Sequence, residues 1–299
     1  MRTTNLRPVT ERERAERAAV NDGEPTLEFG GRVPYDAYVR ASTLHSLQRT
    51  VSDDPGERSF LVISQVMELY FGMVQFELRE AQRLLREDRD DAVWDALAPL
   101  RRAALDLEGL NASWRALRWM TPADFNRFRD LLGEGSGFQS AMYRRMEFAL
   151  GLKMASLIRP FRQQPSVYGE LAAELRAPSL WDEVIALLAR RGYPIPDAAV
   201  DCEVGARDFT SDHEPDPAVE AAWAEIYRDT GPDNHLRLLG EALGEVAETF
   251  GDWRYQHLKA VQRAMGAKVG SGGTDGLGWL RRAMDRVVFP ELWSARTLM

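Results

Sequence analysis

One histidine on the apolar stripe of a long predicted helix has the clearest capacity for chemistry in this chain. His257 lies three or four residues from its apolar neighbours, so these positions share one helix face. The apolar members of the stripe are Leu239, Leu243, Val246, Phe250, Trp253, Val261 and Ala264. An imidazole there is either a core histidine bonded to a neighbour or a ligand of haem iron or another metal. Spacing alone favours the core histidine.

The chain offers few partners for a metal site built from several side chains. It contains four histidines and one cysteine, Cys202, and no histidine pairs with another at metal-ligand spacing. An internal disulfide, a zinc finger and a thiolate cluster are therefore excluded. If His257 is a ligand, haem suits it better than zinc, because the macrocycle already supplies four nitrogens to the iron.

A glycine-dense loop follows the histidine helix. Residues 270–276 read Gly-Ser-Gly-Gly-Thr-Asp-Gly, and each glycine costs backbone entropy when the loop is ordered. This density favours a backbone that approaches a ligand closely, and a plain surface loop is the alternative. A phosphate-binding loop fits poorly, because no Gly-Lys-Ser/Thr follows and no predicted strand precedes.

The elements that must position these residues are predicted to be helices. Period-two alternation bounded by turns is not sustained anywhere, so the expected fold is an all-α bundle of long helices. Thr121-Pro122 and Ser179-Leu180 carry the residue types of helix starts. Helices are predicted over 35–47, 58–87, 91–119 (with Pro99 as a kink or break), from Thr121, from Ser179, over 217–227 and over 233–267, with an irregular acidic connection over 197–216. We expect a flexible arm over 1–29, polar and mobile through residue 24, and one helical domain over 30–299.

Composition limits the partners of this protein. The 299 residues are 44% hydrophobic and 28% charged, with a net charge of −8, so a nucleic-acid-binding surface is not expected. No run approaches the roughly 18–20 apolar residues of a membrane span, and the N-terminus has no apolar core of a signal peptide. We therefore expect a cytoplasmic protein that does not bind membranes. Its long helices suggest packing against other subunits.

Short motifs occur in order over about residues 30–299. They are Arg32-Val33-Pro34-Tyr35-x-x-Tyr38-Val39, Phe60-x-x-x-Ser64-Gln65-x-x-Glu68-Leu69, Phe128-Arg129-Asp130, Ser136-Gly137-Phe138-Gln139-Ser140, Trp253-Arg254-x-x-His257, Gly266-x-Lys268-x-Gly270-Ser271-Gly272-Gly273 and Phe289-Pro290-Glu291-Leu292-Trp293-x-x-Arg296-Thr297. Together they resemble the tryptophan 2,3-dioxygenase family. The resemblance implies an intertwined all-α homotetramer that binds haem b and uses dioxygen to oxidise the indole C2=C3 bond of L-tryptophan, giving an N-formylkynurenine-type product.

The same resemblance implies roles for individual residues. His257 is the implied proximal ligand of the haem iron, and Arg129 the implied clamp for the substrate carboxylate, which a guanidinium matches with two parallel hydrogen bonds. The remaining implied site residues are Phe60 and Phe125 beside the indole, Tyr35, Tyr38 and Val39 from a neighbouring subunit, Ser271 at the amino-acid end, and Ser136 and Gly137 beside dioxygen.

Ser64 departs from the family pattern, which usually places a histidine there facing the indole N–H. Loss of that partner costs roughly 1 kcal/mol of substrate binding, and the smaller side chain leaves room for a substituent. One interpretation is a tryptophan dioxygenase that tolerates serine. The other is a homologue in secondary metabolism that inserts one oxygen into a substituted tryptophan, such as β-methyltryptophan, to give an oxindole. A non-catalytic haem- or indole-binding protein and a nucleotide-binding enzyme are alternatives from other classes.

Overall fold

A computed structural model describes residues 8–31, 33–87, 89, 91–200, 210–273 and 275–299. Within these ranges the chain is helical, with an isolated antiparallel bridge between Met154 and Ser211 and no strand. The all-α prediction is confirmed. Arg32, Cys202 and Thr274, which entered the motif and cysteine arguments, lie outside the described residues. The chain divides into two compact units, residues 1–50 and 51–299.

The first unit contains three short helices: α1 (Glu11–Val20), α2 (Pro34–Val39) and α3 (Ala41–His45). Thr10 and Glu13 form a capping box at the start of α1, in the segment expected to be an arm. The single helix predicted over 35–47 is wrong, because Arg40 adopts a left-handed conformation (φ 59°) that ends α2 before α3 begins. The predicted division into a flexible arm and one domain from residue 30 stays a prediction.

The second unit holds the long helices. They are α4 (Pro55–Arg86), α5 (Ala92–Ser113), α6 (Pro122–Asn126), α7 (Ala141–Ala149), α8 (Pro165–Arg176), α9 (Leu180–Arg190), α10 (Asp197–Val200), α11 (Pro217–Arg228), α12 (His235–Met265), α13 (Leu277–Met284) and α14 (Pro290–Ser294). Capping boxes at Thr121 and Ser179 confirm the predicted starts of α6 and α9. The bounds of α4, α11 and α12 agree with prediction to within a few residues.

Other predictions for this unit need correction. α5 runs through Pro99 without a break and ends at Ser113, where a 3-10 helix, Trp114–Leu117, replaces the last predicted turn. α10 lies in the segment that was predicted to be irregular. The short helices α7, α8, α13 and α14 were not predicted, because helices of this length depend on tertiary packing more than on a readable periodic stripe.

The core of this unit forms where α5 packs against both α4 and α12. Leu239, Leu243, Val246 and Phe250 of α12 are fully buried, and each contributes roughly 1.5–3 kcal/mol by leaving water. The stripe then changes character, because His257 and the apolar positions after it are only half-buried. The first half of α12 therefore anchors the helix in the core, and its second half projects His257 toward a cavity.

One helix satisfies a simple membrane-span test, contrary to the sequence expectation that no segment approaches a span. α4 has 32 residues and contains an 18-residue window of mean hydropathy 1.3, of which 17% is buried. A single helix of this kind is weak evidence for a span, because core helices of soluble proteins pass the same test.

Candidate functional site

A cavity of about 900 Å³ lies within the second unit, next to the second half of α12. Its walls come from α4, α7, α12 and α13, from the 3-10 helix after α5, and from two facing loops around residues 135–140 and 270–276. This volume is near the upper end of the range of about 300–1,000 Å³ for ligand pockets. The space therefore suits a large ligand, or a cofactor together with a substrate.

His257 lies on the wall of this cavity. Its ring stacks on Trp114, with centroids 5.3 Å apart and planes 15° apart, and Trp253 lies at the same centroid distance. Burial, and secondarily the charge of Arg144, lower the pKa of His257 to about 4, so the imidazole is neutral at pH 7. Within the described residues no group hydrogen-bonds to this ring. The core histidine bonded to a neighbour, which spacing alone favoured, is thus not what the structure contains.

The wall opposite the aromatic cluster includes Phe60 and Ser64 of α4. Phe60 packs against Phe125 and Phe128, with ring centroids 5.7 Å apart in each case, which makes this wall apolar. The Ser64 hydroxyl donates a hydrogen bond of 2.8 Å to the Phe60 carbonyl one turn earlier. Ser64 therefore lines the cavity while its proton is already used by its own helix.

Arg129 occupies a different place from the one implied by the resemblance. It begins a 3-10 helix, Arg129–Leu132, and does not line the cavity. Its Nη2 donates a hydrogen bond of 2.6 Å to the Val269 carbonyl in the approach to the glycine loop. Lys268 Nζ makes a parallel contact of 3.2 Å to Asn126 Oδ1. In this conformation Arg129 holds the loop, and it reaches a ligand in the cavity only if that bond opens.

The two facing loops bring Ser136, Gly137 and Ser271 to one wall of the cavity. Ser271 Oγ donates a 2.7 Å hydrogen bond to the Gly135 carbonyl. A Cβ on Gly272 would lie 3.3 Å from Ser136 Cβ, so the loops approach at backbone distance. The glycine loop is therefore a wall held at several points, and the interpretation as a plain surface loop is wrong.

The remaining predicted site residues lie in the first unit. Tyr35, Tyr38 and Val39 belong to α2 and are 68%, 71% and 41% exposed. Their contribution to a pocket stays a prediction.

Sequence reasoning missed several residues that line the cavity. Trp114 ends the α5 segment and reads as one more core apolar position, yet it stacks on His257. Arg144 and Glu147 are three residues apart, a spacing that on most helices indicates a surface ion pair, but here both are buried. No pattern in one sequence separates these cases, because burial is decided by the neighbouring helices.

The donor set of the cavity fits haem. No group of three or more His, Cys, Asp or Glu side chains suited to a metal ion occurs among the described residues, which leaves His257 as a lone neutral imidazole. One axial nitrogen is sufficient for haem iron. Arg118, Lys259 and Arg263 are exposed at the cavity's edge, and none forms an ion pair in the described part of the chain. These cations suit the anionic edge of a porphyrin.

Comparisons with known proteins agree with one another. A family model described as tryptophan 2,3-dioxygenase matches residues 18–299. A protein named tryptophan 2,3-dioxygenase from Burkholderia pseudomallei (strain 1106a) is 40% identical, over 91% of this chain and 87% of its own length. A protein of the same name from Burkholderia multivorans (strain ATCC 17616 / 249) is 39% identical over 91% of this chain and 86% of its own length.

Proposed function

We propose, since the chain belongs to the tryptophan 2,3-dioxygenase family, that it oxidises the indole C2=C3 bond of L-tryptophan or a tryptophan derivative with dioxygen. Membership of this family makes the chain an oxidoreductase, and sets aside the non-catalytic binder and the nucleotide-binding enzyme. The observation that carries the proposal is a lone neutral imidazole, His257, on the wall of a cavity of about 900 Å³.

Haem b is the proposed cofactor, with His257 as its axial ligand. When bound, haem supplies the iron centre at which dioxygen is activated for insertion into the indole. Trp114 and Trp253 fix the plane of the imidazole by packing on its faces. Arg118 and Arg263 at the cavity's edge are placed to hold the carboxylates of the porphyrin.

The substrate is proposed to bind with its indole against the apolar wall of Phe60 and Phe125. Ser136 and Gly137 lie across the cavity, where the facing loops exclude water from the reacting carbons. A substrate carboxylate would draw Arg129 from the Val269 carbonyl, because a charge-assisted pair is about twice as strong as a neutral hydrogen bond. Ser271 is proposed to contact the amino-acid end of the substrate.

The first unit and the assembly complete the proposal. Tyr35, Tyr38 and Val39 are proposed to close the pocket of a neighbouring subunit in a cytoplasmic homotetramer. Their exposure in the isolated chain supports this, since exposed tyrosines are typical of surfaces that a partner covers.

A second candidate function is favoured by the contact that Ser64 makes. Because its hydroxyl donates to the Phe60 carbonyl, the side chain presents no base to an indole N–H. It is also smaller than the histidine usual in the family, which leaves room for a substituted substrate. The candidate reaction is insertion of one oxygen into a tryptophan such as β-methyltryptophan, giving an oxindole.

Product mass distinguishes the two candidates. Reduced, haem-loaded protein is incubated with ¹⁸O₂ and either tryptophan or β-methyltryptophan. Two labelled oxygens, with tryptophan preferred, support the dioxygenase and exclude the second candidate. One labelled oxygen, with the substituted substrate preferred, has the opposite meaning. His257→Ala should abolish the haem spectrum in either case, and a normal Soret band in that variant would refute the ligand assignment.

A further inference from the structure

A buried ion pair on α7 lies in the wall of the same cavity and has no part in the proposed function. Arg144 and Glu147 are 4% and 2% exposed, and Arg144 Nη1 donates to Glu147 Oε2. Both residues line the cavity. Most arginines and glutamates stay at the surface, so two full charges in the wall of a cofactor cavity need a physical reason.

The Arg144 guanidinium is fixed on both faces. Its carbon lies 5.1 Å from the centre of the Phe138 ring and 4.9 Å from that of Tyr143. Its Nη2 contacts the Phe138 carbonyl at 3.4 Å, while its buried Nε has no acceptor. An unsatisfied buried donor and two desolvated charges are costly, and apolar replacement of buried pairs is often neutral or stabilising. Stability alone therefore does not account for this pair.

Aromatic contacts connect the pair to His257. The Tyr143 ring, under the guanidinium, lies 5.0 Å from the Trp253 ring, and Trp253 lies 5.3 Å from the imidazole. The charge of Arg144 is also felt at the imidazole, where it adds to burial in lowering the pKa of His257. Charges act strongly across such a wall because packed aromatic rings exclude water.

Two other arginines lie nearby, and each has its own partners. Arg286 donates to Asp212 through Nε at 2.9 Å and Nη2 at 2.5 Å. Arg254 Nη1 donates to the carbonyls of Ala283 and Arg286 at 2.6 and 2.9 Å. Because neither arginine is bonded to Glu147 in these contacts, changes at Arg144 and Glu147 alter the local charge without breaking them.

We propose that Arg144 and Glu147 are positioning residues that set the electrostatic potential at His257, and through it the balance between ferric and ferrous haem. This inference rests on the proposed haem function. A positive charge favours the ferrous state, which has one positive charge less, and a negative charge favours the ferric state. The paired charges hold the balance between these limits.

Three variants of the haem-loaded protein test the sign of this effect. Arg144→Gln leaves the Glu147 carboxylate uncompensated, and the ferrous-to-ferric ratio at a fixed ambient potential should fall by on the order of tenfold. Glu147→Gln leaves the cation and should raise that ratio by a similar factor. A tenfold change corresponds to about 59 mV in a one-electron midpoint potential. The double variant should return close to the wild type. Spectroelectrochemical titration of the Soret band measures all three.

Controls separate charge from structure. Arg145→Gln, next in sequence but paired outward with Glu170, should leave the midpoint potential unchanged. Arg144→Lys keeps the charge and should remain within about threefold of the wild-type ratio, which preserves the test if Arg144→Gln does not fold. Shifts of Arg144→Gln and Glu147→Gln in the same direction, or no shift in either, would overturn the inference. A wild-type protein without a Soret band, or haem retained normally by His257→Ala, would instead refute the proposed function.

Discussion

At the scale of single residues, the neutrality of His257 is its decisive property. A ligand must offer a lone pair, and a protonated imidazole has none. Burial beside Trp114 and Trp253 removes the proton at neutral pH, and the positive charge of Arg144 acts in the same direction. The surroundings of the ring thus prepare it to bind a metal before any cofactor arrives.

This neutrality predicts a pH dependence of the haem-free protein. The pKa of His257 is about 4 when folded and about 6.5 when unfolded, so the unfolded chain binds more protons between these values. The His257 contribution to the free energy of unfolding should therefore be complete above pH 6.5 and be lost as pH falls toward 4. Urea unfolding across this range measures it. A His257→Gln variant should have a flatter profile, and an unchanged slope would contradict the prediction.

Ser64 yields a prediction about substrate choice. Ser64→His should provide an acceptor for the indole N–H and lower the KM for unsubstituted tryptophan by about fivefold, equivalent to about 1 kcal/mol. Ser64→Ala is the matched control, because the wild-type hydroxyl is already bonded to the Phe60 carbonyl, and its KM should change little. Steady-state kinetics on tryptophan and β-methyltryptophan measure both variants. No gain in Ser64→His would show that this residue does not set specificity.

At the scale of elements, the cavity depends on α12 changing its surroundings along its length. Its first half is buried by α5, and its second half borders the cavity. The glycine loop that follows is held against the loop around residue 135 by Ser271 and by the close approach of Gly272 to Ser136. A long helix anchored at one end and a loop held at several points give the site a defined wall.

Gly276 is the position of this loop where a side chain is least tolerated. Its φ is +59°, and a Cβ would lie 2.7 Å from the Lys268 carbonyl oxygen. Gly276→Ala should displace the loop, raise the substrate KM severalfold and leave haem content unchanged. Gly169→Ala, in the exposed middle of α8 with no atom near its added methyl, should be neutral. Faster hydrogen exchange over residues 268–276 only in Gly276→Ala would support the prediction, and equal exchange in both variants would contradict it.

At the scale of the whole molecule, the two units have different predicted tasks. Every residue that lines the cavity belongs to residues 51–299, whereas the exposed tyrosines of α2 belong to the first unit. Haem binding should therefore be separable from the contribution of the first unit to substrate binding.

A double substitution, Tyr35→Ala with Tyr38→Ala, tests this separation. We expect haem content within a few per cent of wild type and at least a tenfold rise in substrate KM, because each lost aromatic contact costs about 0.5–1.5 kcal/mol beyond its buried area. Light scattering of both proteins reports whether the assembly is a tetramer. An unchanged KM would mean that these tyrosines do not close a neighbouring pocket, and loss of haem would mean that the units are not separable.

The sequence by itself determined the fold class and the long helices of this protein. Helical periodicity is a local property, so α4, α11 and α12 could be bounded from apolar spacing, and caps at Thr121 and Ser179 from residue type. The resemblance to a family, carried by ordered motifs, supplied the candidate residues. Neither source could show that α2 and α3 separate at Arg40, which is a backbone conformation and leaves no composition signal.

Tertiary structure alone decided which polar residues meet. His257 has the spacing of a core residue, and only the cavity beside α12 makes it a ligand candidate. Arg129 has the chemistry of a carboxylate clamp, yet here it bonds to the Val269 carbonyl. Arg144 and Glu147 have the spacing of a surface pair, yet they are buried in the cavity wall. Burial and electrostatic environment are properties of several segments together, so they are fixed only when helices distant in sequence pack against one another.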